Sequence, residues 1–261
     1  MRSLVNDVPI WLLAVIFVGG LVGIALGGFW LGGRLGLRSP NTGADTMVSA
    51  FSSRATTLFG ILLVFVIVSE FNHFNDTQTT TQKEASALAQ ILRDSEPAPS
   101  GIREDLRGAV GDYADEVAGH EWALLASRGK ESPRGLALVA EIERIVQDYN
   151  PRTAAQRAFY DKLIGQLDDL VDARRDRIQA AGPAIPDVLL WLLFGGAIVF
   201  VLTMFGFSAA IDRLLITLIV SVTVLTAGGL LVTVLLDYPF SSSVAVSNDA
   251  FHEGILGEIT R

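Results

Sequence analysis

The residues best placed for metal chemistry are Glu70 and His73, a Glu-x-x-His pair at the end of an apolar run. In carboxylate di-metal sites such pairs put two ligands on one helix face, but these sites need two pairs and further carboxylates. The other histidines, His120 and His252, have no glutamate three residues before them. Cysteine is absent, which excludes thiolate ligands, disulfides and cysteine nucleophiles. The sequence therefore predicts no metal site.

Other kinds of catalysis have no better support. The sequence contains neither a phosphate-binding glycine loop nor a serine nucleophile elbow, and it shows no convergent acid, base and nucleophile. We interpret one dense charged stretch as a solvated, salt-bridged helix surface, formed by Asp168, Asp169, Asp172, Asp176, Arg174, Arg175 and Arg177. With a net charge of −8, the chain lacks the basic surface expected of a nucleic-acid-binding protein. We expect no enzymatic activity, no cofactor and no nucleic-acid partner.

The elements that must position these residues are four apolar runs, two on each side of a charged middle: 8–31, 55–69, 185–207 and 214–236. A bilayer core takes about 20 apolar residues as a helix, and the short second run can extend through the residues before Leu58. Buried helices of a soluble protein would not be this long, and the mean hydropathy of +0.43 argues against them. We predict an all-α, polytopic membrane protein: transmembrane helices 1 and 2 in 1–76, an extramembrane helical bundle in 77–184, transmembrane helices 3 and 4 in 185–237, and a tail in 238–261.

The charged middle is predicted to form helices that pack as an antiparallel bundle, because narrow apolar stripes lie opposite charged faces. The second of these helices is expected to begin at Ser132, and the third after a capping box of Thr153 and Gln156, ending before Gly182. We expect 79–93 to continue the second transmembrane helix outward. In the first bundle helix, apolar residues recur at helical spacing: Ile102, Leu106, Val110, Tyr113, Val117 and Leu124.

The first apolar run carries glycines four residues apart, at Gly19, Gly23 and Gly27. Small residues at this spacing let membrane helices approach closely. Packing against another span of the same chain is the favoured interpretation, because glycine is common in membrane helices. Contact between protomers is the alternative.

One face of the second run continues beyond its apolar part, because Phe65, Ser69, Asn72 and Asp76 lie three or four residues apart. This face passes from an aromatic ring through a hydroxyl to polar and acidic groups, as a channel mouth or an interfacial helix end would. Taken alone, Glu70 and Asp76 are expected to be solvated at the end of the span. The face as a whole favours a pore.

The last span is followed by a distinctive tail. Pro239 is expected to stop the helix. Asp237 could cap partner backbone or pair with an arginine such as Arg174. Phe251 and Ile255 suggest a short amphipathic helix that docks back on the protein or on lipid headgroups.

The stretch LLDYPFSSSVAVSNDAF, which contains Asp237, Pro239 and Phe240, resembles the end of the bestrophin-like domain family of bacterial and plant membrane proteins. The stretches FGILLVFVIVSEFNHF and KEASALAQILRD resemble the family's second span and following helix, at Gly60, Phe65, Phe74, Glu84 and Ala85. The middle resembles it at Tyr113, Glu121, Trp122 and the run DARRDR, 172–177. Tyr238 stands where the family pattern has an arginine.

This resemblance implies an analogy with bestrophins, which are oligomeric anion channels with the termini and middle segment on the cytoplasmic side. It implies that Phe65 forms a constriction of the pore, with Phe59, Leu62 and Ser69 nearby. We therefore expect a homo-oligomeric ion channel in the lipid of a bacterial inner membrane. The alternative is a non-conducting scaffold or accessory subunit that binds an envelope or cytoplasmic partner in a membrane complex.

Charge density predicts the opposite sidedness for the middle segment, outside the cytoplasm. The short connection 32–54 concentrates Arg34, Arg38 and Arg54, and positive residues favour the cytoplasmic side. Because the chain has no cysteine, Ser127→Cys introduces a unique thiol into an expected turn of the bundle. An impermeant reagent should label it in intact cells. Protection from the reagent would reverse the assignment and favour the bestrophin-like sidedness.

Overall fold

The computed structural model describes residues 2–34, 42–206, 213–241 and 244–260, and these residues form helices and no strand. The chain opens with α1 (Arg2–Asp7), α2 (Ile10–Arg34) and α3 (Thr42–Asp94). The middle segment forms α4 (Ser100–Glu116), a π-helical turn (Val117–Glu121), α5 (Trp122–Arg128), α6 (Pro133–Asp148) and α7 (Ala154–Ala180). It is followed by α8 (Asp187–Gly206), α9 (Arg213–Leu236), a 3₁₀ turn (Asp249–Phe251) and α10 (Gly254–Gly257).

The prediction of an all-α membrane protein is confirmed. Among the described residues, three helical segments have the length and apolarity of a membrane span: Ile10–Arg34, Ser53–Asp94 and Ile216–Leu236. The apolar helix Asp187–Thr203 is shorter than these. The fourth crossing therefore stays a prediction.

The chain divides into two compact units. We call the first the bundle unit (Met1–Asn6, His73–Gly182 and Tyr238–Arg261) and the second the membrane unit (Asp7–Asn72 and Pro183–Asp237). The unbroken helix α3, 53 residues long, contributes its first part to the membrane unit and its last part to the bundle unit. The outward continuation of the second span through 79–93 is thus confirmed.

In the membrane unit, α2 packs on α8 and α9, and its buried side chains include Leu21 and Ala25. Helix α3 approaches α9 closely at Gly229, where a Cβ atom would lie 2.9 Å from Cδ2 of Leu63. Only a residue without a side chain fits this contact without displacing Leu63.

The three glycines of α2 do not take part in this packing. Gly19, Gly23 and Gly27 are exposed, and no described atom lies within 4 Å of a Cβ built on any of them. Packing within the described part of the protomer is therefore carried by other residues, and contact between protomers, the alternative, stays a prediction.

The start of α8 is held by the end of α9. The Oδ1 atom of Asp237 accepts hydrogen bonds from the backbone N–H groups of Ala184 (2.8 Å) and Ile185 (2.9 Å). Of the two roles expected for Asp237, it therefore caps backbone, and Arg174 is paired elsewhere. Helix α9 ends at Leu236, three residues before Pro239.

The bundle unit follows the predicted caps. The Oγ atom of Ser132 accepts from the N–H groups of Arg134 and Gly135, and Thr153 and Gln156 form the capping box. The tail docks on the protein, since Phe251 and Leu256 are buried in the core of the bundle. That core also contains apolar side chains of α3, α4, α6 and α7, among them Leu88, Ile91, Leu106, Val110, Ile142, Leu163 and Leu170.

The apolar stripe of α4 is correct up to Val117 and wrong by one residue at its end. Leu125 is fully buried, whereas Leu124 is partly exposed. The π-helical turn Val117–Glu121 inserts one extra residue, so the face that points to the core moves on by one position. This shift also brings Glu121 into the interior.

Arg2 ties the chain start to two helix ends in the bundle unit. Its Nη1 atom donates to the carbonyl oxygen of Leu125 at 2.6 Å, and Nη2 donates to the carbonyl oxygen of Ala181. Cations are favourable at helix C-termini, where carbonyl groups lack partners. The guanidinium also lies over the ring of Tyr238, 5.3 Å from its centroid. Gly129 makes room for it, with φ at +61° and no side chain.

Candidate functional site

The predicted pore face of α3 is exposed in the protomer. Phe65 is 72% exposed, and Ser69, Asn72 and Asp76 are exposed with it. Exposed apolar side chains lead up to this face along the same helix: Leu58, Ile61, Val64 and Val68. The face therefore changes from apolar to polar along the direction of the chain.

Phe59 and Leu62 lie away from this face. Phe59 is buried and stacks on Phe200 with ring centroids 5.4 Å apart, and Leu62 packs partly buried against the core of the membrane unit. Six residues turn an α-helix through about 600°, so Phe59 points about a third of a turn away from Phe65. Phe59 supports the helix from behind, and we leave both residues out of the exposed face.

Glu70 corrects one expectation. Its side chain is buried, whereas Asp76 is exposed as expected of a solvated group. Glu70 is five positions after Phe65, which puts it on the inward side of α3 with Val66. Two acidic residues six positions apart in α3 thus have different surroundings.

A buried network of ion pairs lies in the bundle unit. Arg177 has no exposed surface, and its Nε and Nη2 atoms donate to Glu84 of α3 at 2.5 and 3.0 Å. Nη2 also donates to Glu121 in the π-helical turn at 2.6 Å. Arg174, one turn before Arg177, forms a two-pronged pair with Glu121, with both distances 2.8 Å. The interpretation of this stretch as a solvated surface is therefore wrong for both arginines.

The rest of the charged stretch is solvated as expected. Arg175 and Asp172 form an exposed pair at 3.2 Å, and Asp168, Asp169 and Asp176 are exposed. The acidic residues and Arg175 thus occupy one side of α7, and Arg174 and Arg177 occupy the other.

Aromatic rings complete the network. The Tyr113 hydroxyl donates to Glu84 and accepts from Arg174 at 3.1 Å. The guanidinium of Arg177 lies 5.8 Å from the ring centroid of Trp122, which in turn packs edge-on against Phe240. Phe240 of the C-terminal motif therefore supports the network through Trp122.

Burial and pairing act in opposite directions on these groups. Burial raises the pKa of Glu121, but the hydrogen bonds and charges of Arg174 and Arg177 outweigh burial and hold the pKa below its ordinary value. Burial, with the negative charge of Glu84, raises the pKa of Tyr113 well above its ordinary value. The network therefore holds Glu121 as a carboxylate and Tyr113 as a neutral phenol beside the two guanidinium groups.

Close packing on this network leaves no room for a side chain at Gly135. A Cβ atom there would lie 2.6 Å from Oε2 of Glu121 and 3.1 Å from Nη2 of Arg174. The start of α6 therefore seals the ion pair from solvent.

The network is suited to holding helices together, because the carboxylates of Glu84 and Glu121 accept hydrogen bonds from arginines of α7. Within the described residues, no group of three or more His, Asp or Glu side chains is placed to hold a metal ion.

Hydrophobic periodicity missed this network because it treats charged residues as solvent-facing. The signal that could have found it is the family resemblance. Glu84, Tyr113, Glu121, Trp122 and the run 172–177 carry that resemblance while lying far apart in sequence, and they meet in the bundle unit.

Breaking the buried ion-pair network should lower the free energy of unfolding. Arg177→Gln leaves Glu84 without its main partner, and loss of one partner of a buried ion pair typically costs about 3–5 kcal/mol. Urea unfolding followed by tryptophan fluorescence should show a large fall in midpoint. Arg175→Gln, in the same helix but in an exposed pair, should change the midpoint little.

The pH dependence of stability gives a second test. The pKa of Glu121 is lowered on folding, so Glu121 contributes to the free energy of unfolding above its unfolded pKa, and this contribution is lost as the pH falls through its folded pKa. Equal urea midpoints for Arg177→Gln and Arg175→Gln would contradict the buried network.

The chain was compared with curated proteins, solved structures and protein-family models. It matches no curated protein and no solved structure. Residues 19–251 match the Bestrophin-like domain, a range that includes the exposed face of α3, the buried network and the Asp237-Pro239-Phe240 motif. The chain therefore belongs to the Bestrophin-like domain family.

Proposed function

We propose that the protein is an ion-conducting homo-oligomer of a bacterial plasma membrane, with the exposed face of α3 lining an axial path. The observation that carries this proposal is the exposure of Phe65, Ser69, Asn72 and Asp76 together on one unbroken helix. On this face, exposed apolar side chains are followed by an exposed hydroxyl, amide and carboxylate, which is the order expected where an axial path opens into water.

The buried side of α3 supports this assignment. Phe59, Val66 and Glu70 are buried, so the helix is anchored from behind and presents a defined face. The free glycine stripe of α2 offers a close-approach surface for contact between copies. Family membership supports a bestrophin-like membrane protein, and conduction and assembly are the proposed steps beyond it.

A non-conducting scaffold is the second candidate. A groove of about 820 Å³ between α3 and α7 in the bundle unit favours it, since a partner could dock there; polar and charged residues line it, including Thr79, Lys83, Gln90, Asp169 and Asp176. Purification of a stoichiometric larger complex without a continuous pore would favour this function.

The variant Phe65→Ala tests whether the exposed face of α3 lines a conducting path. A narrow apolar constriction expels water, so Phe65→Ala should wet the passage and raise ion flux severalfold in liposomes or planar bilayers. Trp191→Ala is the control, because Trp191 is an aromatic residue of similar exposure, 77%, on a different helix, α8. Absence of flux in the wild type and both variants would contradict conduction.

The variant Asp76→Asn tests whether Asp76 sets ion selectivity at the mouth of the path. Asp76 should attract cations to the path, so Asp76→Asn should shift the reversal potential in a salt gradient towards anion permeation. Asp168→Asn is the control, because it removes one negative charge, as Asp76→Asn does, from an exposed position of the bundle unit. An equal shift in both variants would show that selectivity follows overall charge and does not arise at Asp76.

A further inference from the structure

Three exposed tryptophans lie near the ends of helices in the membrane unit. Trp11 and Trp30 are near the two ends of α2, and Trp191 is near the start of α8. Tryptophan combines a large apolar ring system with one N–H donor, so it favours the boundary between lipid and water. Exposed indole rings at helix ends therefore fit a partner that is apolar on one side and wet on the other.

The spacing of Trp11 and Trp30 matches the thickness of a bilayer core. They are 19 positions apart on the unbroken helix α2, or about 28 Å at 1.5 Å per residue, against about 30 Å for the hydrocarbon of a bilayer. Between Asp7 and Arg34 the sequence contains no charged residue. Arg34 follows Trp30 by one turn, and its guanidinium lies 4.9 Å from the centroid of that ring. Apolar, aromatic and charged groups thus follow one another in the order of hydrocarbon, interface and headgroup.

Contacts inside the membrane unit show that α2 and α8 run in the same direction. In the first half of each helix, the rings of Phe17 and Phe194 lie 5.9 Å apart. Nearer the ends of both helices, Gly28 lies so close to Leu202 that a Cβ atom on the glycine would overlap with Cδ2 of the leucine. Residue numbers rise together from the first contact to the second, so the two helices are parallel.

Trp191 therefore shares an end of this helix pair with Trp11. Six positions lead from Trp11 to Phe17 and three lead from Trp191 to Phe194, so the two tryptophans differ in level by about 4.5 Å. Trp30 is exposed at the opposite end of α2. A single apolar layer about 28 Å thick thus has exposed indole rings at both of its boundaries.

We propose that the membrane unit binds a lipid bilayer whose hydrocarbon boundaries lie at Trp11 and Trp191 on one side and at Trp30 on the other. Each ring covers acyl chains while its N–H group reaches water or a headgroup, and Arg34 extends to the headgroups beyond Trp30. The proposal assigns a bilayer depth to α2 and places α8 in the bilayer beside it. It does not depend on whether the protein conducts ions.

The test uses the full-length protein in liposomes, with a spin label on one introduced cysteine at a time, because the chain has no cysteine of its own. Oxygen concentrates in hydrocarbon and a nickel chelate stays in water, so the ratio of their collision rates with the label reports its depth. Labels at Trp11→Cys and Trp30→Cys should lie at the boundaries. Labels at Val15→Cys and Leu26→Cys, both exposed and four residues further in, should lie about 6 Å deeper.

Helix α8 gives an independent comparison. A label at Trp191→Cys should lie near the boundary, and one at Val199→Cys, exposed and eight residues further along, should lie about 12 Å deeper. Labels at the tryptophan positions as deep as the inner labels, or equal access of the nickel chelate to all sites, would overturn the proposal. Poor access of both reagents to Val15→Cys and Leu26→Cys would show that protein covers this face of α2, which would also overturn it.

Discussion

The burial of Arg177 is the constraint on which the rest of the bundle unit depends. A guanidinium group cannot lose its charge, so each element around it must supply an acceptor or an aromatic face. Helix α3 supplies Glu84, the π-helical turn supplies Glu121, and α5 supplies Trp122. The two carboxylate contacts fix the register of α3 and of the π-helical turn relative to α7, because a shift of one residue in either would leave a charge unpaired.

The π-helical turn is best understood from the same constraint. A regular α-helix would carry the Val110–Tyr113–Val117 stripe on to Leu124, whereas the inserted residue turns Glu121 and Leu125 inward. The irregular backbone places the carboxylate between Arg174 and Arg177. Such single-turn bulges commonly occur where one side chain must be placed out of helical register.

Features set by neighbouring residues were predictable from sequence: the Thr153–Gln156 capping box, the start of α6 at Ser132 and the continuation of α3. Features set by partners far away in sequence were not. Arg175 and Arg177 look alike in a pattern of charges, and only the fold makes one exposed and the other buried. Glu70 and Asp76 were likewise given one interpretation, and packing separates them. For the exposed face, helical spacing grouped Phe65 with Ser69, Asn72 and Asp76, which are all exposed, while Phe59, added by resemblance, is buried about a third of a turn away.

Helix α3 thus presents Phe65 outward, buries Glu70 and is held in the bundle unit through Glu84. The claim that its exposed face surrounds an axis can be tested directly, because the chain has no cysteine. A single thiol at Phe65→Cys should join neighbouring copies when a short bifunctional maleimide is added to the assembled protein, giving covalent dimers and higher species on a denaturing gel. Trp191→Cys, on exposed α8, should give none or far fewer. Cross-linking at Trp191→Cys with none at Phe65→Cys would contradict an axial position for α3.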